Sequence, residues 1–216
     1  NNNDLQCRVR KWRKYDIDYW GSYGVPVEWL KYAEVYPISH KIVISDGKKY
    51  VFNADKLAYA FVEHKEGKVT LKIYQPLSED PQYKWSNKHD RSVISLWTKV
   101  PETGKQIVIC SSLKDALCLW ANTGIPALAL QGEGYGMSDT AISELKRRYS
   151  HIYMLFDNDK AGLIDREKLA KKTGFTNLVL PKFTGGKDVS DLFKSVRKEK
   201  FVVTINCLIN QEDEED

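Results

Sequence analysis

The chain is predicted to be an α/β protein: a four-stranded parallel sheet flanked by helices, preceded by a smaller, basic subdomain of mixed α and β structure. Three observations carry that prediction. From about residue 104 onward, short apolar runs of strand length alternate with stretches of helical period, the pattern of a parallel sheet with covering helices. Between residues 41 and 75, β-branched and aromatic runs are separated by Asp46-Gly47 and Glu66-Gly67, turn signals of antiparallel hairpins. The 216 residues, 42% hydrophobic and 29% charged, can bury one sizeable core or two modest ones, which excludes a disordered chain, a collagen and a small stapled scaffold. The expected divisions are residues 1–100 for the basic N-terminal subdomain, 101–200 for the α/β domain and 201–216 for a C-terminal segment with an acidic tail.

Residues 1–14 are polar and basic, with Arg8, Arg10, Lys11, Arg13 and Lys14 around Trp12, and read as an arm or as the lead-in to a first helix. Between residues 16 and 36, Trp20, Val25, Val27, Trp29, Leu30 and Val35 are interrupted by Gly21, Gly24 and Pro26, which divides the stretch into two short helices ended by Pro37. Strands are expected over 41–45, 49–53, 56–63 and 68–74. After Pro76, Lys84-Trp85-Ser86-Asn87-Lys88 and Arg91 interleave cations with an aromatic ring. Bases stack on such rings while cations track phosphate, although a half-buried tryptophan among solvated lysines gives the same pattern.

Pro101-Glu102-Thr103-Gly104 opens the second half. Residues 106–110 form its first strand, and Leu113, Ala116, Leu117, Trp120 and Ala121 then recur at i, i+3, i+4, i+7 and i+8, the buried face of a helix. Strands at 127–130, 151–156 and 177–180 alternate with helices at 138–148, 162–173 and 188–198. In an open sheet of this kind, functional residues gather at the carboxyl ends of the strands. Those ends carry Ser111-Ser112, Gln131-Gly132-Glu133-Gly134, Asp157-Asn158-Asp159 and Gly185-Gly186-Lys187-Asp188. Asp157 and Asp159 can reach one cation from a single turn, and hard oxygen ligands suit Mg2+ or Mn2+; an Asx turn with helix capping is the plainer alternative. Lys187, Asp188 and Asp191 add charge at a parallel position, where acids in the first turn of a helix are equally at home.

The formal charge of +4 conceals an asymmetry, because residues 212–216 are all acidic. Without them 33 Lys and Arg face 24 acids, a net of +9, which permits a polyanionic partner without identifying one. Four scattered cysteines in no C-x-x-C spacing suggest neither a disulfide framework nor a zinc knuckle and fit a reducing cytoplasm. The apolar runs are too short to span a bilayer, so no membrane partner is expected. The chain opens Asn-Asn-Asn without Met, from which an excised piece of a longer protein is expected. Neither G-x-G-x-x-G nor G-x-x-x-x-G-K-[ST] occurs, so a dinucleotide site and a helicase motor are not encoded here. Phosphatase and receiver-domain chemistry needs an aspartate after an early strand, where this chain has serines.

The order of a strand, a D-A-L helix, F-D-N-D-K-A-G and then G-K-D-x-x-D-L resembles the Toprim domain of DnaG-like DNA primases of bacteria and phages. Upstream, Asp16, Tyr19-Trp20, Leu30, Val35, Pro37 and Lys84-Trp85-Ser86-Asn87 resemble the basic subdomain that precedes Toprim in the RNA polymerase core of those primases. The resemblance implies a DNA-directed RNA polymerase: short RNA primers made from NTPs on a single-stranded DNA template for DNA replication, by metal-dependent nucleotidyl transfer. It implies Mg2+ or Mn2+ held by Asp157, Asp159 and Asp188, with Lys187 on phosphate, Lys72, Lys84, Lys88 and Arg91 on the template, and a replicative helicase as partner. One departure stands out. The family's Glu-Gly after the first strand is Ser111-Ser112 here, while Asp115 matches the acidic position four residues on. Glu133 is the expected stand-in, acting with Asp157 and Asp159 as the catalytic acids. The alternatives are a catalytically weak Toprim module that binds nucleic acid, and a Toprim nuclease.

Overall fold

The computed structural model describes residues 3–132 and 136–215, the last four of them as backbone. The chain forms two compact units, Asn1–Gly21 with Pro26–Asp90, and Ser22–Val25 with Arg91–Asp216.

The first unit runs β1 (Asp4–Val9), α1 (Lys14–Gly21), α2 (Val27–Tyr32), β2 (Val35–Ser45), β3 (Lys48–Asn53), β4 (Tyr59–Lys65), β5 (Lys68–Tyr74), α3 (Pro81–Lys84) and β6 (Trp85–Asn87). Its sheet is antiparallel in the order β1-β2-β4-β5-β6, with β3 also on β2. Both expected hairpins form. Asp46 and Gly47, and likewise Glu66 and Gly67, all have positive φ, the backbone that a two-residue turn between right-twisted strands requires. The leading segment differs from expectation: residues 4–9 are a strand, paired to β2 from Asp4 opposite Ile44 to Val9 opposite Ile38. Leu5, Cys7 and Val9 alternate with polar residues at the strand period, a signal obscured by the basic run that follows.

Alternation also divides the sheet into two faces. Leu5, Ile38, Ala58, Ala60 and Ile73 form a small aliphatic cluster. On the other face Trp20 meets Tyr59 and Phe61 edge-on, and Tyr74 stacks on Trp85 at 4.2 Å. Asp16, fully buried beside these rings, accepts from both Arg10 guanidinium nitrogens at 2.6 and 2.8 Å, the Tyr59 hydroxyl at 2.7 Å and the Arg13 amide at 2.9 Å. Burial pushes its carboxyl pKa up, but the Arg10 bond, with Tyr59 and Arg13, outweighs burial and holds it below the ordinary value.

The second unit contains β7 (Gly104–Cys110), α4 (Leu113–Thr123), β8 (Ala127–Ala129), α5 (Asp139–Arg148), β9 (Tyr149–Leu155), α6 (Lys160–Thr173), β10 (Thr176–Asn177) and α7 (Val189–Glu215). Its four strands are all parallel in the order β10-β9-β7-β8. Ile107, Val108, Ile109 and Cys110 are fully buried, as a strand covered on both faces must be. The fourth strand is shorter than expected. Its ladder ends near Leu178, whose amide bonds to the Met154 carbonyl, while Leu178 and Leu180 stay buried around an exposed Val179. Helix α7 breaks at Arg197 (φ 69°, ψ 175°) and then buries Phe201, Ile205 and Ile209, spaced four apart. Among the described residues no helix is long and apolar enough to cross a membrane.

Candidate metal centre

From β7 the chain passes to β8 on one side and then crosses to β9 on the other, so the order of connection reverses between β7 and β9. At such a switch point the loops after adjacent strands diverge and leave a crevice at the carboxyl ends. Ser111 follows β7, Asp157 closely follows β9, and the register sets Cys110 opposite Leu155, so the two meet: the Ser111 hydroxyl donates to Asp157 Oδ1 at 3.1 Å. Ser112 caps α4 by accepting the Asp115 amide, which puts Asp115 in the helix's first turn. Asp188 directly precedes α7 and accepts the Asp191 amide at 2.7 Å.

These elements bring Asp115, Asp157 and Asp188 together, each offering an oxygen within 4.8 Å of the others. Asp115, 2% exposed, also accepts the Ser190 amide at 3.0 Å and the Ser190 hydroxyl at 2.5 Å. Burial, with Asp115 alongside, pushes Asp188 up to about 8. Burial raises Asp115 too, against the opposing Ser190 bonds. Asp115 and Asp188, buried beside each other, thus hold on to protons that a bound cation would displace. The donor set is all oxygen and suits a hard cation such as Mg2+ or Mn2+.

Two glycines bring the loops close. A Cβ on Gly162 would lie 2.3 Å from the Asp157 carbonyl oxygen, so only glycine lets α6 start against that turn. A Cβ on Gly186 would lie 2.3 Å from the Asp191 side chain, whose carboxylate accepts the Lys187 amide. The Lys187 carbonyl in turn accepts the Asn158 amide at 2.9 Å, tying the two loops together.

The expected site residues fall into several groups. Asp157 and Asp188 lie in the triad, and Asp115, which the sequence offered only as a match to a family position, completes it. Asp159 lies outside the triad: it caps α6 through the Gly162 amide and holds Lys187 Nζ at 2.5 Å, contacts that keep its carboxyl pKa low, the lysine bond first. Lys187 Nζ is also 3.7 Å from Asp157. Glu133 lies outside the described residues. In the first unit, Lys72 is half-buried on β5 with Nζ 4.5 Å from the Trp85 ring centroid, and burial lowers its pKa to about 8. Lys84 ends α3, Lys88 is exposed just beyond β6, and Arg91 begins the second stretch of the other unit. The Ser190 contact to Asp115 had no sequence signal, because it joins residues 75 positions apart.

Residues 108–193 match a Toprim-like family. The primase fragment of the bacteriophage T7 primase-helicase protein superimposes with a TM-score of 0.58 at 16% identity, covering 93% of this chain and 75% of that one. A DnaG catalytic core gives 0.65 at 15% identity, over 88% and 71% of the two chains. A DnaG primase catalytic domain bound to single-stranded DNA gives 0.62 at 15% identity, over 90% and 70%. No curated protein matches the sequence significantly. At these identities the likeness is one of fold. Residues 108–193 therefore match a Toprim-like family, within a chain whose fold is similar to that of bacterial and phage primase catalytic cores.

Proposed function

We propose that the chain is the RNA-polymerising core of a DNA primase, a nucleotidyltransferase that makes short RNA primers on single-stranded DNA during replication. The observation that carries this reading is the Asp115, Asp157 and Asp188 triad at the switch point of a Toprim-like sheet, in a chain with the primase-core fold. In that reaction a nucleotide 3′-hydroxyl attacks the α-phosphate of an incoming NTP and pyrophosphate leaves. A bound Mg2+ or Mn2+ supplies activation of the attacking hydroxyl and charge stabilisation on the leaving group. The triad would hold the cation. Lys187, on a backbone tied at both its amide and its carbonyl, would neutralise phosphate charge. The Ser111 hydroxyl fixes the rotation of the Asp157 carboxylate, and Glu133 supplies the acid that Ser111 does not. Asp159 acts by anchoring Lys187.

Template binding is assigned to Lys72, Lys84, Lys88 and Arg91, with Trp85 as a stacking ring; phosphate contacts of this kind give salt-dependent, largely sequence-independent affinity. One fold neighbour is bound to single-stranded DNA and another is the primase part of a primase-helicase. By extension the partners here are single-stranded DNA, NTPs and a replicative helicase, in the cytoplasm of the producing or host cell. Primer synthesis from NTPs on single-stranded DNA, with Mg2+ or Mn2+ and with Asp157→Ala as control, tests the proposal.

A second reading, a Toprim module that binds nucleic acid with weak or no catalysis, is favoured by Ser111, whose hydroxyl stands where the resemblance expects an acid. It predicts binding without polymerisation, and a rate gain in Ser111→Glu. Cleavage of the DNA under the same conditions would instead identify a nuclease.

A further inference from the structure

We infer that the free edge of β3 joins two copies of this chain, β3 against β3, about a twofold axis through Val51. Strand β3 pairs with β2 alone. The Asp46-Gly47 turn sets Ser45 opposite Lys48, and a two-residue turn of this kind closes on a hydrogen-bonded pair. Lys48, Tyr50 and Phe52 thus turn their amides and carbonyls toward β2, and the Ala54 amide continues the alternation by bonding to the Ser39 carbonyl at 2.9 Å. Lys49, Val51 and Asn53 present theirs outward, where among the described residues no strand meets them. All six residues of β3 are exposed, Tyr50 at 46%, Val51 at 49% and Phe52 at 51%. An open row of backbone donors and acceptors beside exposed apolar side chains is a template for another strand.

The residues along this edge select a second copy of themselves. Antiparallel pairing centred on Val51 sets Val51 against Val51 of the second copy, Tyr50 against its Phe52 and Lys49 against its Asn53. Two aromatic cross-strand pairs form, and no two cations stand opposite each other. A parallel pairing would instead set Lys48 and Lys49 beside their own copies, and an acidic peptide would answer the lysines while leaving the rings unmatched. The self-pairing also completes a row that stops at the surface. Leu5, Val43 and Tyr50 lie opposite one another on β1, β2 and β3, the first two in the aliphatic cluster, and Phe52 of the second copy extends that row. The outward groups of Lys49, Val51 and Asn53 would exchange about six hydrogen bonds with those of the second copy, making one sheet of two.

Sedimentation velocity over roughly 5 to 500 µM protein is the test, because so small a contact belongs to the weak end of protein association. The wild type should pass from monomer to dimer and go no further, since a twofold contact closes on itself. Val51→Pro removes an outward amide and no bond to β2, so it should remain monomeric with an unchanged circular dichroism spectrum. Val51→Lys and Val51→Glu each set like charges face to face across the axis. Each should be monomeric alone, and the two should form dimers when mixed in equal amounts; this result decides the matter even if the proline variant misfolds. A wild type that stays monomeric throughout, whether or not it binds an acidic peptide at this edge, overturns the inference. So do dimers that persist in a folded Val51→Pro, or charge variants that fail to associate on mixing.

Discussion

Cation binding at the triad must expel protons, and the pH dependence can be worked from Asp188. With its pKa pushed up to about 8 by burial and by Asp115, this carboxyl is ionised in roughly one molecule in ten at pH 7 and in roughly one in a hundred at pH 6. Each ion bound therefore releases close to one proton from Asp188, and apparent Mn2+ affinity should fall about tenfold from pH 7 to pH 6 and level off above about pH 8. Asp115, also raised, steepens the fall at the acid end. Stability moves with the same groups. The unfolded chain ionises this carboxyl from about pH 4 while the folded chain keeps its proton to about 8, so the metal-free protein loses stability as pH rises through that window, and the cation restores it. Isothermal titration with Mn2+ at pH 6, 7 and 8, in two buffers of different ionisation enthalpy, gives both affinity and proton count. Asp188→Asn should bind weakly and lose most of the pH slope. Equal affinity at pH 6 and pH 8, with heats independent of buffer, would refute the reasoning.

Further outcomes follow from other contacts. Asp16→Ala leaves Arg10 and the Tyr59 hydroxyl without their buried acceptor and should cost about 3 kcal/mol, a fall of roughly 6 to 12 °C in Tm. Because the native Asp16 pKa is depressed, its contribution is complete above about pH 4 and is lost as pH falls through the folded value; a melt that is unchanged by the substitution would contradict its role. Gly162→Ala drives a Cβ into the Asp157 carbonyl and should weaken Mn2+ binding while leaving helical content nearly unchanged, as paired titration and circular dichroism would show. Lys84→Ala and Lys88→Ala should each lower the slope of log K against log salt for single-stranded DNA by about 0.7 whatever the sequence, and unaltered slopes would remove them from the template surface.

The parallel sheet was legible because buried strands and one-faced helices leave strong periodic signals, and the rule that sites lie at carboxyl ends then singled out Asp157 and Asp188. Asp115 was harder to place. An acid in the first turn of a helix is ordinary, and only the approach of Ser190 and α7 turns it into a triad member. Asp159 shows the opposite ambiguity, since a D-x-D turn reads the same whether its second carboxylate holds a cation or, as here, caps a helix and pairs with a lysine. Strand β1 was obscured because three apolar residues at alternate positions carry little weight beside the five cations between Arg8 and Lys14. Ser111 was visible as a departure, but its hydrogen bond to Asp157 depends on the pairing of β7 with β9, which sequence order alone does not specify.

The central claim, that the Asp115, Asp157 and Asp188 centre drives templated nucleotidyl transfer, is tested most directly by incubating the protein with NTPs, single-stranded DNA and Mn2+ and separating the products by length. The account predicts template-dependent dinucleotides and short RNA from the wild type, abolished by chelation and reduced by about a thousandfold or more in Asp157→Ala. Product made at the wild-type rate by Asp157→Ala, or no product from a wild type that binds both metal and DNA, would contradict it.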